Sequence, residues 1–226
     1  MPIAKIGEVH DLKVIDPKTI PHVLNMGELG LSLEWCVHET GHPENVREHV
    51  IKRSESYVQQ FLELLSICFM DSPLAFPVNV KDTGNTDRDV YHKPGNNLSY
   101  LLDCAGTVGL NTFGIVVGTG NTAPDITDYQ LQTIVAHGVA GGQLQYSAVS
   151  FGAPAADDTT SQLTITRNFA NASGGAISVE ELGIYCRCLD TAGSTRYFCI
   201  VRDVTGGIAV PNGQTLTVNY RPQGVL

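Results

Sequence analysis

The run Phe113-Gly114-Ile115-Val116-Val117 constrains this chain more than any other stretch. It is apolar at every position, rich in β-branched residues and only as long as a strand. Gly106 to Gly109 form a small-residue turn before it. Gly118-Thr119-Gly120-Asn121-Thr122-Ala123-Pro124 follow it in an order that no helix tolerates. An apolar run with turn signals at both ends predicts a buried strand.

The same grammar continues to the end of the chain. Leu163, Ile165, Arg167 and Phe169 alternate with Thr164, Thr166 and Asn168, and Leu216, Val218 and Tyr220 alternate with Thr215, Thr217 and Asn219. Period two is the mark of a half-buried strand. Tyr197-Phe198-Cys199-Ile200-Val201 is apolar on both sides and predicts a central one. Strands are expected near 98–104, 113–118, 143–151, 161–170, 176–189, 195–204 and 214–220, punctuated by Asn171-Ala172-Ser173-Gly174-Gly175, Ala192-Gly193-Ser194 and Pro211-Asn212-Gly213. Tyr129 to Val135 reads as a short helix or a strand. That spacing predicts a mainly β fold, a two-sheet sandwich of jelly-roll or immunoglobulin-like type over 98–226. No internal repeat stands out.

The first part of the chain reads differently. Residues 1–42 are short apolar pieces, such as Ile3 to Leu12 and Leu29 to Trp35, broken by Asp16-Pro17-Lys18 and Ile20-Pro21-His22. They predict an N-terminal arm lying on another surface. From Pro43 to Asp71, apolar residues recur at Val46, Val50, Tyr57, Phe61, Leu64, Leu65 and Cys68, which predicts one long amphipathic helix. It packs either on its own domain or in a subunit interface. The expected organisation is 1–75 as arm and helix for anchoring and assembly, 76–97 as a polar linker, and 98–226 as the β domain. Trp35, Val50, Tyr57, Phe61 and Leu64 are the expected assembly residues.

Charge narrows the partners. The net charge is -9, which argues against nucleic acid and anionic membranes. No lysine follows Lys93, and the 123 residues from Cys104 onward hold 5 Arg and 8 acidic residues. The exterior there must be largely Thr, Ser, Asn, Gln and Gly, which suits packing against copies of the same chain. The opening Met1-Pro2 carries no leader pattern, so the six cysteines are expected as free thiols.

Several groupings invite chemistry. Cys36, His38, Glu39, His42 and His49 are zinc-ligand types in no standard spacing. Asp82, Asn85, Asp87 and Asp89 make an oxygen-rich loop without the EF-hand order. Cys186 and Cys188 share a strand face, and either has Cys199 as a possible disulfide partner. Gly118-Thr119-Gly120 lacks the lysine of a phosphate loop. Asp157-Asp158 are adjacent rather than facing, as a glycosidase pair would need to be. No metal site, cofactor or catalytic residue is expected.

Three phrases carry a resemblance. They are Thr112 to Pro124 with Asp128-Tyr129; Thr164 to Asn171 with Ser178 to Tyr185; and Arg202-Asp203-Val204 with Val210 to Val218. Together they resemble virion proteins of tailed bacteriophages, over roughly residues 98 to 220. Ser54 to Leu62 is similar to the helix that often precedes this pattern. The resemblance implies a non-enzymatic structural protein of the virion, in a tail, baseplate, fibre or capsid-decorating part. It would be made in the host cytoplasm and would assemble with copies of itself, as a trimer, and with other virion proteins. Cys186 and Cys188 depart from the pattern. The alternative is a receptor- or glycan-binding tip using Tyr146, Tyr185 and Tyr197. A polysaccharide-degrading enzyme is a third reading.

Overall fold

The computed structural model describes residues 28–54, 57–70, 77–91, 100 and 102–225. The chain is mainly β with one helix. In order it forms β1 (Glu28–Glu39), β2 (His42–Arg53), α1 (Gln59–Met70), β3 (Val78–Lys81), β4 (Asp87–Val90), β5 (Gly114–Gly118), β6 (Gln145–Tyr146), β7 (Ser150–Phe151), β8 (Ala155–Ala156), β9 (Thr160–Gln162), β10 (Ile165–Ala170), β11 (Ile177–Leu189), β12 (Thr195–Val210) and β13 (Gln214–Val225). The large sheet runs β2-β1-β13-β10-β6, with β7, β8 and β9 attached at its flank. A second sheet runs β12-β11-β5, and β3 pairs with β4 alone. All strand pairs between these elements are antiparallel.

The alternating segments became strands at the expected places. The two sheets meet across a core to which Leu31, Leu33, Trp35 and Val37 of β1, Phe169 of β10, and Leu216, Val218 and Tyr220 of β13 contribute one side. Ile115 and Val117 of β5 are fully buried, in keeping with the run apolar at every position. β1 pairs with β13 along its whole length, from Glu28 opposite Val225 to Glu39 opposite Gln214. The segment ahead of the expected linker thus supplies two strands to the sheet built by the end of the chain. The apolar piece Ile3 to Leu12 lies outside the described residues, and of the strand expected at 98–104 the described residues 100 and 102–104 carry only an isolated bridge between Asp103 and Arg187.

The long helix over Pro43–Asp71 is corrected. Residues His42–Arg53 form strand β2, hairpinned to β1 through Thr40 and Gly41, and only Gln59–Met70 is helical. The misleading signal was the spacing of four between Val46 and Val50. Residues four apart share a face in a helix, but here a register shift next to His38 sets Val46 opposite His38 and Val50 opposite Trp35, on opposite faces of the sheet. The open edge of β1 decided the outcome, since pairing overrides weak local preference. Pro43 is tolerated because β2 is an edge strand. Consequently Val50, Tyr57, Phe61 and Leu64 do not form one helical seam. Val50 is half-buried on β2 opposite Trp35, Tyr57 stacks on Phe61 with ring centroids 4.0 Å apart, and Leu64 is fully buried in this chain's own core.

Arg167 holds the two sheets together. It projects from β10 into the core, is fully buried, and has no carboxylate partner among the described residues. All five of its N–H groups donate to carbonyls: Nε to Ser147 (2.9 Å), Nη1 to Phe113 (3.2 Å) and Ile115 (2.8 Å), Nη2 to Thr107 (3.0 Å) and Leu110 (2.6 Å). Its guanidinium carbon also lies 4.9 Å from the centre of the Tyr146 ring. Burial pulls its pKa down to about 10, so the cation persists at neutral pH. Gly114 has φ +95° here, and a Cβ would sit 2.7 Å from Val149 and 3.1 Å from Arg167 Nη1. Lysine has three donors and no fork. Arg167→Lys is therefore expected to lose on the order of 3 kcal/mol of unfolding free energy in urea, and a loss below about 0.5 kcal/mol, the range of surface substitutions, would remove Arg167 from this role.

Candidate functional site

On β1 the residues between the core positions are polar. Ser32, Glu34, Cys36 and His38 project to the opposite face of the large sheet from Leu33 and Trp35. That face is not freely solvated: Ser32 is 1%, Glu34 8% and Arg221 6% exposed. Glu34 is its centre. Its Oε1 lies 2.6 Å from His49 Nε2, and its Oε2 accepts from Asn219 Nδ2 (2.8 Å) and from Arg221 Nη2. Burial raises the Glu34 pKa, but His49, Arg221 and Asn219 outweigh it and bring the carboxyl down to about 2.

Strand register brings some of the expected ligands together and separates others. Cys36 is directly opposite His49. With Glu34 on the imidazole this assembles the residue types of a cysteine nucleophile site. The electrostatics point the other way, because burial and the carboxylates of Glu34 and Glu48 push the thiol up to about 11. His38 is bonded instead to Thr217 Oγ1 (3.0 Å), Glu39 to Asn45 (2.8 Å), and His42 to Glu44 (3.0 Å). Among the described residues, no group of three His, Cys, Asp or Glu side chains is arranged to hold a metal ion. Trp35 is on the core face, where its Nε1 donates to Glu48 (3.0 Å).

The oxygen-rich loop has a structural task. Asp82 Oδ1 accepts from Gly84 N (2.9 Å) and Thr86 N (3.0 Å), and Oδ2 accepts from Arg88 Nε (2.6 Å). Asp190 repeats this with Ala192 N (3.0 Å), Ser194 N (2.8 Å) and Arg196 Nε (2.7 Å). The underlying repeat is Asp82-Thr83-Gly84-Asn85-Thr86-Asp87-Arg88 and Asp190-Thr191-Ala192-Gly193-Ser194-Thr195-Arg196, which inspection of the sequence missed because the glycine is offset by one place. The two hairpins also bond reciprocally: Thr83 N–H to Tyr197 O (2.9 Å) and Thr191 N–H to Asp89 O (2.8 Å). They are related by a local pseudo-twofold.

A second ionic centre lies on the β12-β11-β5 sheet. Glu181, fully buried, accepts from the backbone N–H groups of Gly120 (3.1 Å), Thr133 (2.8 Å) and Gln132 (3.0 Å), and from Arg202 Nε (3.0 Å). Arg202 continues to Asp128 Oδ2 (2.8 Å) and Thr122 O (3.1 Å). This explains Gly118-Thr119-Gly120: a Cβ at Gly118 or Gly120 would stand 2.5 or 2.6 Å from Glu181 Oε1. The glycines admit a carboxylate of the chain itself.

The remaining candidates are structural. Tyr146 Oη donates to Val135 O (2.7 Å), Tyr185 Oη accepts from Leu131 N (2.5 Å), and Tyr197 stacks on Phe113, so none of the three presents an open stacking face. Asp157 Oδ1 accepts from Thr159 N (2.9 Å) and Thr160 N (2.7 Å) within its own turn. Cys36, Cys104, Cys186, Cys188 and Cys199 are free. Cys199 is opposite Tyr185, so it faces away from Cys186 and Cys188. Compared with known proteins, the chain matches no family model, no curated protein and no solved structure.

The lowered Glu34 pKa sets a pH dependence. The group binds its proton more weakly folded than unfolded, so its contribution is complete above the unfolded pKa near 4.5 and is lost as pH falls toward about 2. Glu34→Gln is expected to be less stable than the parent by about 2–3 kcal/mol at pH 7, with the gap closing across that window. Parallel denaturation curves at pH 7 and pH 3 that keep the gap constant would show that Glu34 does not titrate as described.

Proposed function

We propose that this chain is a non-enzymatic structural protein of a tailed-phage virion. In this reading the two stacked sheets are a β-sandwich of jelly-roll type. The N-terminal segment anchors it, and copies associate as a closed oligomer, a trimer by the resemblance. The observation that carries the reading is where the buried charge goes. Arg167 is used on five loop and strand carbonyls, and Glu181 on three loop amides. Such groups fix the shape of a surface. The buried thiols fit the same picture, since burial pushes Cys104 to about 11 and Cys199 well above its ordinary value.

A contact surface is available for association. Leu62 on α1 is 64% and Ile126 61% exposed. Gln59 N–H donates to Ile126 O (2.9 Å), which sets Ile126 against the start of α1, one turn from Leu62. These two exposed apolar side chains are the surface this reading offers for contact between copies.

Light scattering of the purified chain tests association, and gold-labelled antibody on intact particles tests placement. A three-chain mass is expected, falling to a single chain in Leu62→Asp/Ile126→Asp with the same circular dichroism. A parent that stays monomeric at high concentration and labels no particle would overturn the proposal.

A further inference from the structure

Three of the buried thiols are gathered in one place. Cys186 and Cys188 lie two apart on β11, share a face of the strand and are fully buried. Cys104 joins them from the segment ahead of β5. Asp103 makes an isolated antiparallel bridge with Arg187. Arg187 N–H donates to Asp103 O (2.8 Å), and Arg187 Nε to Asp103 Oδ2 (2.6 Å). One residue along from that bridge, Cys104 stands beside Cys186. The ion pair sets Asp103 and Arg187 on one face, so the thiols take the other. There Cys104 is 8% and Cys186 0% exposed. Cys104 is also felt electrostatically at Cys186.

The register selects one pair among four thiols. Asp103 and Arg187 are hydrogen-bonded, so the next pair is of the non-hydrogen-bonded kind, with Cα atoms about 4.5 Å apart and side chains close. A disulfide needs Cα atoms about 4.4–6.8 Å apart. Cys188 is diagonal to Cys104, about 7–8 Å away. Cys186 and Cys188 point the same way from one strand and cannot turn toward each other. Cys199, opposite Tyr185, faces away from all three.

We propose that Cys104 and Cys186 form a reversible disulfide site, oxidised by a small disulfide such as glutathione disulfide, and that closing it locks the segment ahead of β5 onto β11. Both thiols are free in the structure. Burial pushes Cys104 up to about 11 and Cys186 well above its ordinary value, which keeps the closed pair slow to react. Cys104 becomes reachable when its segment lifts from Arg187. Its thiolate then attacks one glutathione sulfur, breaks that S–S bond and expels one glutathione thiolate. As the segment settles back, the Cys186 thiolate attacks Cys104 Sγ and expels the second. Two protein thiols lose two protons and two electrons, and glutathione disulfide becomes two glutathione thiols. The closed bond fixes the stretch leading into Thr107 and Leu110, whose carbonyls hold Arg167. This inference does not depend on the virion reading.

The test equilibrates the reduced native chain with a graded series of glutathione and glutathione disulfide. Remaining thiols are alkylated and the chain is digested with trypsin. Cleavage after Arg187 puts Cys186 and Cys188 on separate peptides. Two of the six thiols are expected to disappear, with one linked peptide pair carrying Cys104 and Cys186. The melting temperature is expected to rise by about 5–10 °C and to fall back on reduction with dithiothreitol. Cys188→Ala should keep both the link and the rise, and Cys104→Ala should lose both. Should the variants fail to fold, the peptide map of the parent decides. Six thiols retained at the most oxidising ratio, glutathione left unresolved on Cys104, or a link through Cys188 or Cys199 would overturn the proposal. So would a Cys104–Cys186 link that leaves the melting temperature unchanged.

Discussion

A fully buried guanidinium with no carboxylate partner among the described residues is an unusual element around which to build a fold, and Arg167 shows what it requires. Taking a cation out of water is costly unless its whole donor set is met. Here five carbonyls meet it, and they come from three separate pieces of chain: the 107–110 loop, the start of β5 and the segment after β6. The Tyr146 and Phe169 rings add their negative faces. Each carbonyl also gains, since a buried loop otherwise leaves backbone acceptors dry. The arrangement is mutual: the loops fold where they do because Arg167 is there, and Arg167 is tolerable because the loops are. Glycine at 114 follows from the same crowding.

Glu181 solves the opposite problem by the same logic. A buried anion is stabilised by amide N–H groups, and the loop from Gly120 to Thr133 folds back over β11 to provide them. Arg202 then links this anion to Asp128 on the outer part of the loop. Thus a cation collects carbonyls within the core and an anion collects amides on the far side of the smaller sheet. Both convert irregular backbone into a fixed surface. On the assembly role proposed above, ordering paid on folding is not demanded again on association.

The sequence made the strands legible where one face is apolar and the other polar, as in Ile165 to Ala170 and Gln214 to Val225, because period two needs no knowledge of partners. It misled over His42–Arg53, where a spacing of four looks helical and pairing with β1, bulged next to His38, decides otherwise. The polar face of β1 was legible in principle. Ser32, Glu34, Cys36 and His38 alternate with Leu31, Leu33, Trp35 and Val37. What no local pattern shows is that Arg221, almost the whole chain away, is its partner. The charged networks share this difficulty: Arg167, Glu181 and Arg202 look like ordinary polar members of strands until register and loop closure bring their partners in. The Asp82 and Asp190 hairpins were hidden by a one-residue offset that leaves the bonding pattern unchanged.

The pairing of β1 with β13 couples the two ends of the described chain, and this governs how the polar seam forms. Glu34 obtains two of its partners, Asn219 and Arg221, from β13, and only His49 from its own hairpin. The β1–β2 hairpin is local and closes at small entropic cost, whereas closing the loop to β13 carries the largest such cost in the large sheet. Before that closure Glu34 has only His49, and Arg221 has no carboxylate. Burial of either ion ahead of the other is unfavourable, so the electrostatics act against docking β13 out of register: a shift by one residue would turn Arg221 into the core and Tyr220 out of it. The ion pair is weak support for stability by itself. Its clearer effect is to favour the register that sets Asn219 and Arg221 on Glu34.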